Sequence, residues 1–188
     1  IPESGGHAYA LDLVKAIDEV NNGKYLDTNI ENGEKTDLCI GIAGYPEKHF
    51  EAPNMGLDLQ YTKAKIDAGA NYIVTQMFFD NQKYFEYVKQ CRAVGIDVPI
   101  VPGLKPVTKL YQLNSLPRLF HVDLPDELVN MVTKAKDAEG RRQAGIEWCA
   151  QQSKELKEAG VPCLHYYTMG DSTTIRQIVE QVYCCLLY

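Results

Sequence analysis

Tyr45, Glu47, His49 and Glu51 fall within seven consecutive residues, so a phenol, an imidazole and two carboxylates meet in one short segment. Side chains of these types bind polar ligands and hold or move protons. They follow directly on Leu38-Cys39-Ile40-Gly41-Ile42-Ala43-Gly44, whose lack of polar alternation predicts a parallel strand covered on both faces. The polar segment is therefore expected at the carboxyl end of a strand. Parallel α/β folds bind ligands there, because the loops vary while the strands hold them still. Gln76, late in the apolar run Asn71–Asp80, is a second such position. A glutamine there needs hydrogen-bond partners and is either a satisfied core amide or a ligand contact.

Other reactive side chains point away from several functions. His7, His49, His121 and His165 show no HExxH or comparable metal spacing, and no metal is expected. Cys39, Cys91, Cys149, Cys163, Cys184 and Cys185 lack a CxxC and sit in apolar contexts, which predicts reduced core cysteines in a cytoplasmic protein. A net charge of −6 and a pI near 5.2 argue against a nucleic-acid partner. No apolar run approaches the ~20 residues that span a bilayer, and no signal peptide opens the chain, so a soluble protein without a membrane partner is expected.

The positioning elements follow from periodicity. Leu13, Ala16 and Ile17 predict an opening helix over Tyr9–Ile17, with no strand before it, and Asn21–Asp37 is a polar surface excursion. Gly56–Gly69 predicts a helix with Leu59, Thr62, Ile66 and Ala70 on one face. A second spans Asn81–Gly95, capped by Asn81, with Tyr84, Phe85, Val88 and Cys91 inward. Val98–Gly103 is a short strand with prolines at its limits. Helices are expected over Val107–Leu116, which carries Gln112, over Leu124–Lys136, and over Glu139–Ala159 with Ile146, Cys149, Ala150 and Leu156 inward. Cys163–Met169 is the last strand, and Ser172–Leu187 closes the chain as a helix capped by Ser172.

Four parallel strands, each followed by helix, amount to half of a (β/α)8 barrel, which usually takes about 250 residues. A small doubly wound sheet is the rival. The opening helix favours the carboxyl-terminal half of something longer. At 188 residues, one domain over 1–188 is expected.

Five blocks then stand in a familiar order: Gly41–Pro53, Lys65–Asn71, Thr75–Asp80, Val98–Gly103 and Leu164–Thr168. Together they closely resemble the methylenetetrahydrofolate reductase family, and the resemblance covers nearly all of the chain from Tyr9 onward. It implies a TIM-type (β/α)8 barrel, of which this chain supplies about the second half of the strands. The implied enzyme binds FAD, takes a hydride from NADH or NADPH, and reduces 5,10-methylenetetrahydrofolate to 5-methyltetrahydrofolate, a one-carbon step that serves methionine biosynthesis. Matching positions imply flavin contacts at Tyr9, Ala10, Tyr45, His49, Glu51, Ala52, Asp58 and Lys65, with Lys65 as counter-charge for the diphosphate. They imply folate contacts at Gln76 and Gln112. Phe50 replaces a proline common in the family, Tyr61 takes a position that is often polar, and Met169-Gly170-Asp171-Ser172 stands near a family basic residue. The family's substrate-protonating acid and its Arg-Gly-Asp block lie early in the family's chain and do not occur here. A polypeptide limited to these residues is therefore expected not to turn over. A non-catalytic half-barrel or a folate- or flavin-binding remnant is the alternative, and the oligomeric state, homo-oligomer included, stays open.

Overall fold

The computed structural model describes residues 6–27, 29–30 and 32–183. Cys184, Cys185 and the last residues of the expected closing helix lie outside them. Among the described residues the elements run α1 (Ala10–Asn21), β1 (Gly41–Gly44), α2 (Met55–Asp67), β2 (Tyr72–Met77), α3 (Asn81–Ala93), β3 (Ile100–Leu104), α4 (Gln112–Phe120), α5 (Asp126–Lys134), α6 (Ala138–Glu158), β4 (His165–Tyr166) and α7 (Ser172–Tyr183). The four strands form one sheet in the order β1-β2-β3-β4, and every pairing is parallel. Parallel neighbours need a crossover, and α2, α3 and the α4–α6 series supply them. No described helix is long and apolar enough to cross a membrane.

One face of the sheet makes the core. Ile42, Ile73, Ile100 and Leu104 join a buried cluster with Leu59 of α2, Tyr84 and Cys91 of α3, Ile146 and Leu156 of α6, and Ile178 of α7. A second cluster, at the end where the strands run out, gathers Met77, Phe79, Val107, Leu116 and Leu128. α6 approaches this end so closely that a Cβ on Gly145 would collide with the Val107 backbone. Three residues expected inward are exposed. Val14, not Leu13, is the buried residue of α1, because only a narrow stripe of that helix packs. Cys39 and Cys163 are exposed, whereas Cys91 and Cys149 are core residues as expected.

β1 also departs from the two-sided burial expected of it. Its residues alternate, with Ile42 and Gly44 buried and Gly41 and Ala43 exposed. The chain packs helices against one side of this edge strand, and on the other side the Tyr72 ring lies over Gly41. β3 starts at Ile100, so Pro102 is internal rather than terminal. The missing N–H is tolerated because the β2–β3 register slips between Val74 and Met77, where the ladder is already interrupted.

Capping is shifted by one residue at two helices. Asp80, not Asn81, caps α3 by accepting from Gln82 N–H at 2.9 Å, which leaves Asn81 buried and donating to the Gln152 carbonyl and to Glu155. Asp171, not Ser172, caps α7: its carboxylate accepts from Thr174 N–H at 3.0 Å and from Thr174 Oγ1 at 2.6 Å. These hydrogen bonds hold the Asp171 carboxyl below its ordinary value of 3.8. A depressed carboxylate pKa contributes stability that is fully present above the ordinary value and is lost as the pH falls through the folded-state value. Asp171→Ala is accordingly expected to cost about 1 kcal/mol at neutral pH. It should cost less in acid below the folded-state value, as two urea melts at different pH would show; an equal cost at both would remove the cap.

Candidate functional site

The polar segment after β1 is held from three sides. Lys48 has φ of 72°, an uncommon left-handed conformation for a residue with a side chain, which folds its ammonium back onto the loop. There it donates to the carbonyls of His49 at 2.9 Å and Ala52 at 2.6 Å. From α2, the buried Asp58 carboxylate accepts from His49 N–H at 2.8 Å. From α3, Lys83 pairs with the Glu47 carboxylate and also reaches Asp123 Oδ2 at 2.7 Å, while Asp123 N–H donates to Glu47 Oε2 at 3.0 Å. Burial raises the Glu47 carboxyl pKa, and Lys83 opposes the shift. Glu47 thus ties the loop to α3 and to the turn before α5, and Oε1 of the same carboxylate is buried without a partner among the described residues.

Rings continue the brace outward. The Tyr45 ring meets His49 edge-on at 4.5 Å, His49 leans on Phe50 at 4.9 Å, and Phe50 stacks on His121 at 4.8 Å. Phe50 therefore joins the β1 loop to the end of α4, a contact that a proline could not make. Glu51 is exposed, and its N–H approaches His49 Nδ1 at 3.3 Å. Ala52 is buried under the loop. Burial raises the Tyr45 phenol pKa, and the Asp58 and Glu51 carboxylates raise it further.

Lys65 lies two turns beyond Asp58 on α2 and is half-buried. Burial lowers its pKa, the Asp58 carboxylate pulls the other way, and the ammonium has no ion-pair partner among the described residues. It is not the solvated helix lysine that the sequence taken residue by residue would give. Tyr9 and Ala10 stand apart from this group: both are exposed at the start of α1, with Tyr9 at 75%.

The two glutamines use their carbonyls internally. Gln76 Oε1 accepts from the N–H of its own neighbour Met77 at 3.0 Å. Gln112 Oε1 accepts from Thr108 N–H at 2.8 Å and Lys109 N–H at 2.9 Å. α4 begins at Gln112 rather than near Val107, and the Gln112 side chain takes up two N–H groups of the turn that leads into it. Both glutamines are left with an amide NH2 that no described residue accepts from. The arrangement is a pair of donors near the carboxyl ends of the strands, with Tyr45 and Tyr167 at the same end: the Tyr45 phenol adds to burial in raising the pKa of Tyr167.

A family model described as methylenetetrahydrofolate reductase matches residues 1–183. The chain belongs to the methylenetetrahydrofolate reductase family. It is 37% identical over 173 residues to 5,10-methylenetetrahydrofolate reductase of Pectobacterium carotovorum, covering 90% of this chain and 53% of that protein. It is 36% identical over 185 residues to methylenetetrahydrofolate reductase 2 of Saccharomyces cerevisiae, covering 96% of this chain and 29% of that protein. The chain thus spans about half the length of this bacterial relative and under a third of the yeast one. Among solved structures, an uncharacterized Clostridium thermocellum protein that binds two copies of 5-methyl-5,6,7,8-tetrahydrofolic acid superposes with a TM-score of 0.52 at 16% identity. The match covers 79% of this chain and 54% of that one, and shows likeness of fold.

Sequence reasoning missed Lys48 and Tyr167, inside the methylenetetrahydrofolate reductase family blocks, and Lys83 and Asp123, outside them, as parts of this site. Lys48 gave no local signal, because its role depends on a left-handed backbone. Lys83 and Asp123 lie 36 and 76 residues from the Glu47 they hold, beyond the reach of any periodicity.

Proposed function

We propose that the full-length protein containing this chain reduces 5,10-methylenetetrahydrofolate to 5-methyltetrahydrofolate, with NADH or NADPH as hydride donor through FAD. The observation that carries this reading is the half-buried Lys65 ammonium, without an ion-pair partner among the described residues, on the helix that follows the braced Tyr45–Ala52 loop. A cation already stripped of part of its water without a partner suits a buried anion, and the FAD diphosphate supplies one. Tyr45, His49 and Ala52 would lie along the cofactor, with Asp58 fixing the His49 backbone. Bound flavin supplies the hydride relay, which none of these side chains provides. Gln76 and Gln112 offer amide donors to the acceptor atoms of the folate pterin.

The sequential strand order supports closure into a (β/α)8 barrel rather than a doubly wound sheet, whose order reverses at a switch point. The exposed Gly41–Ala43 face of β1 would then look into the barrel. Names carried by relatives at 36–37% identity support the same substrate.

The full-length protein is expected to purify with the visible absorbance of a flavin, to bleach on adding NADH or NADPH under anaerobic conditions, and to regain colour with 5,10-methylenetetrahydrofolate. A colourless protein that still binds folate would overturn this reading in favour of a non-catalytic module.

A further inference from the structure

β2 carries one residue more than its neighbour at the point where Gln76 leaves it. The β2–β3 register runs from Val74↔Val101 to Met77↔Gly103, so three steps along β2 meet two along β3. A bulge of this kind leaves backbone groups outside the ladder and re-aims the adjacent side chain. Here two groups take up the slack. Gly103 N–H donates to Thr75 Oγ1 at 2.9 Å in the buried layer. The Tyr167 hydroxyl donates to the Thr75 carbonyl at 2.8 Å across 92 residues of sequence.

Tyr167 follows β4, so its ring has to cross β3 to reach β2. It crosses at Gly103. A Cβ there would stand 2.7 Å from Tyr167 Cε2 and collide with the Thr75 carbonyl, so only glycine leaves room for the ring. The His165 ring packs edge-on to the phenol at 4.7 Å. Because Gln76 spends its carbonyl on Met77 N–H, the direction of its NH2 depends on the backbone at Thr75–Gln76.

We infer that Tyr167 is a positioning residue: its hydroxyl fixes the Thr75–Gln76 peptide and so aims the Gln76 amide donors at the substrate. The inference rests on the assignment of Gln76 to the folate. It is tested with Tyr167→Phe in the full-length holoenzyme, which keeps the ring and removes one hydrogen bond. Calorimetric affinity for 5-methyltetrahydrofolate is expected to fall about threefold to tenfold, the effect of one net hydrogen bond. Flavin content and the rate of flavin reduction by the nicotinamide should not change. Combined with Gln76→Glu, Tyr167→Phe should add little further loss, since both act through one amide. Gly103→Ala, which displaces the ring, should reproduce the weakened folate binding if it folds. Unchanged folate affinity in Tyr167→Phe, an equal fall in flavin reduction, or full additivity with Gln76→Glu would overturn the inference. If Gln76→Glu by itself leaves folate affinity intact, the assignment of Gln76 fails and this inference falls with it.

Discussion

Lys65→Ala in the full-length enzyme is expected to weaken FAD retention by roughly ten- to a hundredfold, the usual loss for a charge-assisted hydrogen bond of about 1.5–3 kcal/mol. The direction follows from what the lysine lacks. Its ammonium is half-buried, its pKa is lowered by that burial, and only the Asp58 carboxylate, two turns away, offsets the cost. An incoming diphosphate would favour the protonated form, so affinity for FAD should be full below the depressed lysine pKa and fall as the pH rises through it. Dilution of the holoenzyme, followed by recovery of free-flavin fluorescence, measures the loss. A thermal melt of the flavin-free protein should be unchanged or slightly higher, because an unpaired, partly desolvated charge has been removed. Lys65→Arg should retain most of the affinity, and the pH limb should vanish in Lys65→Ala. Unaltered flavin release in Lys65→Ala would leave the lysine with no role beyond the surface of α2.

Gln76→Glu should lower folate affinity and folate-dependent reoxidation at least tenfold, equivalent to about 1.4 kcal/mol, while FAD content and its reduction by the nicotinamide persist. The structure narrows the reason. The carbonyl of Gln76 is occupied by Met77 N–H, so the amide NH2 is the group left for a ligand. Glutamate keeps the occupied acceptor and exchanges that donor for a second oxygen, which would face a pterin acceptor across a partly desolvated gap. Stopped-flow measurement of the two half-reactions separates the outcomes. Slower reduction by the nicotinamide with normal folate reoxidation would move Gln76 from the substrate to the cofactor.

The element order, the parallel strands and the place of the polar loop were all legible from the amino-acid sequence. Element order and loop placement are local properties: an apolar run, a 3.6-residue repeat, a glycine or an acid at a helix end; the parallel direction follows from the helix that separates successive strands. The five sequence blocks added the family, because motifs of fixed order survive where single residues carry little. Even the errors at this level were small. Asp80 and Asn81, like Asp171 and Ser172, are adjacent residues that can both cap a helix, and only the backbone conformation chooses between them.

Tertiary structure alone decided the electrostatics and the aim of the site. Whether Lys65 is solvated or starved of a partner depends on what packs over α2, which no spacing within α2 records. The Glu47 brace joins residues 36 and 76 positions apart, and the Tyr167 hydroxyl reaches Thr75 over 92. The one-sided burial of β1 depends likewise on which neighbours cover an edge strand, since Gly41 and Ala43 carry no polar side chain that would mark their side as the exposed one. Periodicity reports which side of an element is apolar. The partners a side chain meets there are set by how the strands register and the helices pack, a long-range outcome in which one extra residue in β2 redirects a glutamine.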